Sequence, residues 1–355
     1  MKQSEKKYKR VVVKIGGSLF YSAEGKLDFS VVNGIIDEIS RLAKEGREIV
    51  VISSGAIALG MSVLNLDSRP RELANLQATA AIGQNELINV YRSSFKAQGH
   101  PAAQVLLTWD DFNDRKRYLN ARNTLLALLE YRSIPVINEN DTVSTDEIKF
   151  GDNDRLSALV AGLVCADLLI ILSDVDGLLD KDGSVIRVVD KITFQIRALA
   201  CPTDKKTCVG GMITKIDAAK IAIDSGMPCV IANGRRKDAI SSAIKEPEKS
   251  GTLFVPKEGL AERERWIAFG SRPKGKIVVD EGAKKALFNK KSLLSVGVTG
   301  VEGDFESADI VGITDKNGSE FARGKAALSS RQLEKVKGKR SEKEVIHCDN
   351  IVILS

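Results

Sequence analysis

The chain has 355 residues, 43% hydrophobic and 28% charged, with a formal net charge of +6. This fits one large globular domain or, better, two, and excludes a disordered, collagenous or disulfide-stapled chain. No apolar run is long enough for a membrane span, and only His100 and His347 are available to a His-based metal site or a Ser-His-Asp triad.

Residues 1–9 read as a solvated basic tail with no apolar signal core, leading directly into a strand. The five cysteines, Cys165, Cys201, Cys208, Cys229 and Cys348, show no C-x-x-C spacing, which suits reduced thiols in a cytoplasm. Arg10–Lys14, built on Val11-Val12-Val13, reads as a buried parallel strand. It ends in Lys14-Ile15-Gly16-Gly17-Ser18. Glycines there let the backbone approach a phosphate and Lys supplies a charge, although a tight turn with an exposed Lys fits equally well. Neither a Walker A loop nor a G-x-G-x-x-G fingerprint is present.

Helical spacing of Val31, Val32, Ile35, Ile36, Ile39 and Leu42 predicts a helix over 30–45, ended by Gly46. Glu48–Ile52 is the next buried strand. Ser53-Ser54-Gly55-Ala56 follows it and opens helical residues. Free backbone N–H groups at such a start attract anions, while a plain N-cap by Ser53 or Ser54 is the alternative.

Next come a helix at 71–97, a strand at Ala103–Leu107, a helix at 117–131 and a strand at 134–137. Asn138-Glu139-Asn140-Asp141 and Gly151-Asp152-Asn153-Asp154 then collect amides and carboxylates where that strand ends and before the helical run 156–161. In an open α/β sheet this is the ligand crevice. An Asx-rich turn with capping side chains would read the same.

Asp167–Leu172 and Pro228–Ala232 are two further buried strands. The first ends in Ser173-Asp174-Val175-Asp176-Gly177, a place for a nucleotide base or ribose, or an Asp-Gly turn. Gly210-Gly211-Met212-Ile213-Thr214-Lys215 opens the helix predicted over Lys215–Ser225. A helix N-terminus with glycines and a Lys suits a polyphosphate; a flexible loop and cap is the other reading.

Strands alternating with helices to about residue 260 imply an α/β fold, a mostly parallel sheet covered on both faces. Gly270–Gly275 reads as a linker. Beyond it short strands are expected at Lys276–Val279, Ile310–Ile313 and either Val345–Ile346 or Ile351–Leu354, with one short helix at Glu281–Phe288. Residues 274–340 hold 14 Lys and Arg against 9 Asp and Glu, a net +5 that a solvated surface explains.

Polar clusters at successive strand ends, framed by two Lys-bearing glycine pairs, suit phosphoryl transfer, where positioning and charge neutralisation supply most of the catalysis. A carboxylate acceptor is already ionised and needs no general base, which agrees with the scarcity of histidine.

V-V-K-I-G-G-S, I-S-S-G-A-I-A-L-G, I-P-V-I-N-E-N-D-x-V with G-D-N-D-x-L-S-A, L-S-D-V-D-G-L and G-G-M-x-T-K together resemble the amino acid kinase superfamily, most closely its glutamate 5-kinase family. The resemblance covers residues 10–260, and residues 274–355 resemble a PUA domain, with 261–273 between them as linker. It implies a three-layer αβα sandwich followed by a small β-rich domain, and ATP-dependent phosphorylation of the γ-carboxylate of L-glutamate to L-glutamyl 5-phosphate, the first step of proline biosynthesis.

Carried over by position, Lys14 and Lys215 would stabilise the transferring phosphoryl group and Asp154 would hold the two lysines. Ser54, Gly55, Ala56, Asp141 and Asn153 would bind glutamate. Gly16, Gly17, Ser173, Asp174 and the run Val209, Gly210, Gly211, Met212, Ile213, Thr214 would bind ATP. Mg²⁺ would accompany the nucleotide, with no protein ligand assigned to it. The resemblance also implies a cytoplasmic homo-oligomer (dimer or tetramer), feedback inhibition by proline and hand-over to glutamyl-phosphate reductase.

Three details depart from the family pattern. Gly16-Gly17-Ser18 stands where Gly-Thr-Ser is common, Ser173 where Thr is common, and Cys208-Val209 where Gly-Thr is frequent, which leaves the ATP contacts of 208–209 open. Two rivals remain. One is another amino acid kinase, such as one acting on acetylglutamate. The other is an RNA-binding protein using the PUA-like domain, which offers only Phe288, Phe305 and Phe321 for base stacking.

Overall fold

The computed structural model describes residues 8–143, 152–200, 211–256, 264, 266–270, 273–341 and 343–354. They divide into two compact units, one drawn from Met1–Asp111 and Arg115–Gly259, the other from Phe112–Asp114 and Leu260–Ser355.

The first unit is built on eight strands: β1 Arg10–Ile15, β2 Glu48–Ser53, β3 Ala102–Leu107, β4 Ile134–Glu139, β5 Leu168–Ser173, β6 Val188–Val189, β7 Cys229–Asn233 and β8 Gly251–Phe254. They form one sheet in the order β3-β4-β2-β1-β5-β7-β8-β6, parallel at every pairing except β7 with β8. Val11–Val13 and Leu168–Leu172 are fully buried, as continuous apolar runs must be when helices cover both faces. The chain leaves β1 toward β2 on one side, while β5 pairs on the other. The loops after these strands therefore diverge at the carboxyl edge and leave a crevice there.

Helix α1, Ser30–Lys44, follows from its sequence spacing: Val32, Ile35, Ile36, Ile39 and Leu42 are buried on one face. Burial of each such side chain contributes about 1.5–3 kcal/mol. The helix stops where Gly46 turns left-handed at φ 91°, and its last carbonyls accept from the Gly46 and Arg47 N–H groups.

Two further helices, α2 Ala56–Val63 and α3 Leu73–Ala97, cross with their backbones in contact. A Cβ on Gly83 would lie 1.8 Å from the Ala56 carbonyl oxygen, and one on Gly60 would lie 1.9 Å from that of Thr79. Neither obstacle is a flexible side-chain end, so only glycine fits at either position. Gly83→Ala is expected to lower stability by about 3 kcal/mol in urea denaturation, because α2 must back away. A variant of native stability would show that the crossing relaxes without cost.

The sequence-based elements recur with shifted ends. The strand expected at 134–137 runs on to Glu139, and the helix expected from Lys215 starts earlier, as Met212–Asp224. The short β6, the antiparallel β8 and the helices Phe194–Leu199, Ala239–Lys245 and Pro247–Ser250 were not anticipated. The basic tail lies almost wholly outside the described residues, as does much of 261–273. Within that expected linker, Trp266–Gly270 forms a π-helical turn with Trp266, Ile267 and Ala268 buried.

The second unit contains β9 Gly275–Val279, β10 Val298–Gly303, β11 Ile310–Thr314, β12 Glu320–Lys325 and β13 Ile351–Ile353, in the order β10-β9-β11-β12-β13. Helix Glu281–Phe288 is capped by Asp280, and a second helix, Ser330–Val336, is held by a Ser329–Gln332 capping box. Of the two candidates for the last strand, the later one forms it; Ile346 makes only an isolated bridge to Leu293. Ile277, Val279, Phe305, Val311 and Ile313 fill the core. Phe305 and Phe321 are thus buried, and of the three expected stacking rings only Phe288 is exposed.

Among the described residues no helix is long and apolar enough to cross a membrane.

Candidate functional site

At the carboxyl ends of β1, β2, β4 and β5 the first unit opens a cavity of about 610 Å³. Most of the residues singled out from sequence line it: Lys14, Gly16, Gly17, Ser54, Gly55, Ala56, Asp141, Asn153, Asp154, Ser173, Asp174, Gly211, Met212, Thr214 and Lys215. Ile213 does not, because it leaves the helix in another direction from Met212 and Thr214. Val209 and Gly210 lie outside the described residues.

The cavity's charged centre is Asp154, on the helix Asp152–Leu163. Its Oδ1 lies 2.7 Å from the Lys14 Nζ at the end of β1. Its Oδ2 lies 3.3 Å from the Lys215 Nζ and accepts from the Thr214 hydroxyl at 2.6 Å. Lys215 also donates to the Gly211 carbonyl at 3.3 Å. Three segments distant in sequence thus meet on one carboxylate that is 1% exposed. Burial alone would raise the Asp154 carboxyl, but the two ammonium groups overcome it and hold the pKa below the ordinary 3.8. Burial lowers Lys14 below the ordinary 10.5, against the pull of Asp154. Two cations on one anion leave this buried group net positive, as a phosphate site requires.

That shift has a kinetic consequence. On the expected role of Lys14 at a nucleotide phosphate its ammonium must be protonated, so kcat/KM for the nucleotide should fall on the alkaline side at a pH below 10.5, the ordinary lysine value. Lys14→Arg should move this limb upward. An alkaline limb that stays in place in that variant would assign it to another group.

The second arrangement is a chain of amides. Asn138 Nδ2 donates to Gln84 Oε1 at 2.8 Å, and Asn153 Nδ2 donates to Asn138 Oδ1 at 2.8 Å and to Ser54 Oγ at 3.0 Å. With its amide hydrogens so directed, Asn153 keeps a buried Oδ1 that has no hydrogen-bond partner among the described residues. Such an oxygen calls for a donor from a ligand. Ser53 bonds the buried Tyr91 hydroxyl at 2.8 Å, which fixes the backbone leading into Ser54. Burial pushes the Tyr91 phenol up, so it stays neutral.

The alternatives left open by the sequence resolve individually. Neither Ser53 nor Ser54 caps α2. The N-cap is Gly55, left-handed at φ 116°, with the Phe20 ring against it. The first N–H groups of α2 thus carry no side-chain cap, and Ala56, Ile57 and Ala58 line the cavity. Asn140 belongs to a local turn, accepting from the Thr142 hydroxyl at 2.6 Å, while Asn138, Glu139 and Asp141 line the cavity. After β5, Ser173, Asp174 and Val175 line it, whereas Asp176 pairs with Asn233 and Arg236.

One expectation needs correction. The Gly16 N–H donates to the Leu172 carbonyl at 3.0 Å, so it is not aimed at an anion. Gly16 is small because a Cβ would come within 3.1 Å of that same oxygen.

Gln84, Tyr91 and Arg69 escaped the sequence reading, and Asn138 was read only as part of a motif. Thr214, expected at ATP, lines the cavity and donates its hydroxyl to Asp154. Gln84 sits on the amphipathic α3 without any motif around it. Only its partner, 54 residues on, shows what it does.

Comparison with known proteins bears on both units. Residues 9–233 match the amino acid kinase family and residues 275–348 match the PUA domain. The chain is 46% identical over 364 residues to a glutamate 5-kinase of Caldanaerobacter subterraneus subsp. tengcongensis, with 97% of this chain and 98% of that protein covered. It is 44% identical to a glutamate 5-kinase of Thermoanaerobacter sp. strain X514, with 97% and 98% covered. It is 43% identical to one of Pelobacter propionicus, with 98% of both covered.

Proposed function

The chain belongs to the amino acid kinase family, and we propose that the cavity at the sheet's carboxyl edge is where ATP meets L-glutamate. The enzyme transfers the γ-phosphoryl group of ATP to the γ-carboxylate of L-glutamate, giving L-glutamyl 5-phosphate, the first step of proline biosynthesis. The observation that carries the site assignment is the buried Lys14–Asp154–Lys215 group sharing one cavity with the Ser54–Asn153–Asn138 amides.

The two lysines neutralise charge on the transferring phosphoryl group, and Asp154 fixes both ammonium groups at once. The Gly17 backbone, Ser173, Asp174, Gly211 and Met212 hold the nucleotide. Ser54 and the start of α2, through Gly55 and Ala56, hold the acceptor, with Asn153 Oδ1 and Asp141 taking its ammonium. The acceptor carboxylate attacks the γ-phosphorus as the bond to the ADP oxygen breaks, and no proton has to be removed from it.

A divalent cation, Mg²⁺ in this reading, neutralises triphosphate charge when bound. Both Asp154 oxygens face lysines, so the ion is carried by phosphate oxygens and water, with Asp174 the cavity carboxylate nearest in kind to a ligand. The same reading extends to a cytoplasmic homo-oligomer, to feedback control by proline and to hand-over of the labile acyl phosphate to glutamyl-phosphate reductase.

The test is hydroxylamine trapping of the acyl phosphate with L-glutamate and N-acetylglutamate side by side. Hydroxamate from glutamate supports the reading; hydroxamate from the acetylated acid alone sinks it. Asp141→Ala should raise the glutamate KM about 10- to 100-fold with kcat little changed, as expected for loss of a charged partner of the α-ammonium. An unchanged KM would remove Asp141 from the acceptor site.

A further inference from the structure

We propose that Arg69 holds the α-carboxylate of the acceptor and so makes the site choose an α-amino acid over a simpler carboxylic acid. The proposal rests on L-glutamate being the acceptor. Glutamate brings three charges: the γ-carboxylate that reacts, and an ammonium and a carboxylate together on the α-carbon. Asp141 and the Asn153 Oδ1 answer the ammonium. The α-carboxylate needs a cation of its own.

Among the described residues lining the cavity, three carry a positive charge: Lys14, Arg69 and Lys215. Both lysines are held on Asp154. Arg69 is not part of that group. It is half-buried at the cavity, and the carboxylate whose field it feels is Asp141. An arginine and an aspartate lining one cavity match, in sign, the zwitterionic head of an α-amino acid. A guanidinium stays charged throughout the physiological range and grips a carboxylate with two parallel N–H groups. Arg69 lies on the connection between α2 and α3, two helices whose backbones meet closely at Gly60 and Gly83. The start of α2 carries Ala56 and Ile57 into the same cavity, so one structural unit presents the backbone N–H groups and the guanidinium together.

The experiment compares L-glutamate with 4-aminobutyrate, which keeps the reacting carboxylate and the ammonium but lacks the α-carboxylate. The readouts are kcat and KM for glutamate by hydroxamate formation, and the competitive Ki of 4-aminobutyrate. Arg69→Gln should raise the glutamate KM about 10- to 100-fold, leave kcat and the KM for ATP near native, and leave the 4-aminobutyrate Ki unchanged. Arg69→Lys should recover part of the glutamate affinity. A loss shared equally by glutamate and 4-aminobutyrate would make Arg69 a structural residue and overturn the proposal, as would an unchanged glutamate KM. A wild-type enzyme that forms no hydroxamate from glutamate, seen before any variant is made, would overturn the acceptor assignment and this proposal with it.

Discussion

Lys215→Ala is expected to lower kcat about 10²–10³-fold while the glutamate KM stays nearly unchanged. The ammonium is 3.3 Å from Asp154 Oδ2 and is buried at the start of its helix, where the backbone N–H groups add positive potential. It lines the cavity beside Lys14, and in the proposed reading it meets the phosphoryl group and not the amino-acid head. Charge spreads over the equatorial oxygens as the γ-phosphoryl group leaves ADP, and a fixed ammonium stabilises that state more than the ground state. The loss should therefore appear in turnover. Steady-state kinetics with both substrates varied reads the two constants separately. Near-native kcat in the variant would remove Lys215 from the transferring group.

Asp154 also limits what the sequence could disclose. Lys14, Asp154 and Lys215 each stand in a motif, and each motif sits where a strand ends or a helix begins. Such positions are visible from local patterning. That one carboxylate takes both lysines was implied by the family resemblance but not by local patterning; its physical cause is the strand order, which brings β1 and β5 together and lets the helices Asp152–Leu163 and Met212–Asp224 converge above them.

The amide chain through Gln84 was illegible for a different reason. The glycine beside it, Gly83, signals only a close helix crossing, and hydrogen bonding between distant amides leaves no spacing signature. The same limit hid β10 and β12. Val298–Gly303 contains two glycines, and Glu320–Lys325 contains three charges and a glycine, so neither shows clear period-two alternation. They hold their places through pairing with β9 and β11. Arg69 lies in a connection with no periodicity at all, and its meaning depends on the cavity it faces.

Asp154→Asn should affect stability and turnover together. The substitution keeps the shape and an acceptor for Thr214 but removes the charge between two buried ammonium groups. Breaking a buried pair at one partner costs about 3–5 kcal/mol, because the uncompensated charge remains out of water. The Lys215 ammonium already pushes Lys14 down across the carboxylate, so with Asp154 neutralised the folded variant must hold Lys14 less protonated than the unfolded chain does. A Lys14 depressed in the fold binds fewer protons than in the unfolded state between its folded pKa and 10.5, and stability rises with pH across that window. The Asp154 contribution is lost only as pH falls below 3.8, so it is constant in the wild type over the same range. The stability gap between wild type and variant should therefore be widest at neutral pH and narrow toward about pH 9.5, as urea denaturation at the two pH values would show. A gap independent of pH would mean that Lys14 keeps its proton in the folded variant, and would reject the titration argument. Turnover should fall at least as far as in Lys215→Ala, since both ammonium groups lose the anchor that aims them at the phosphate.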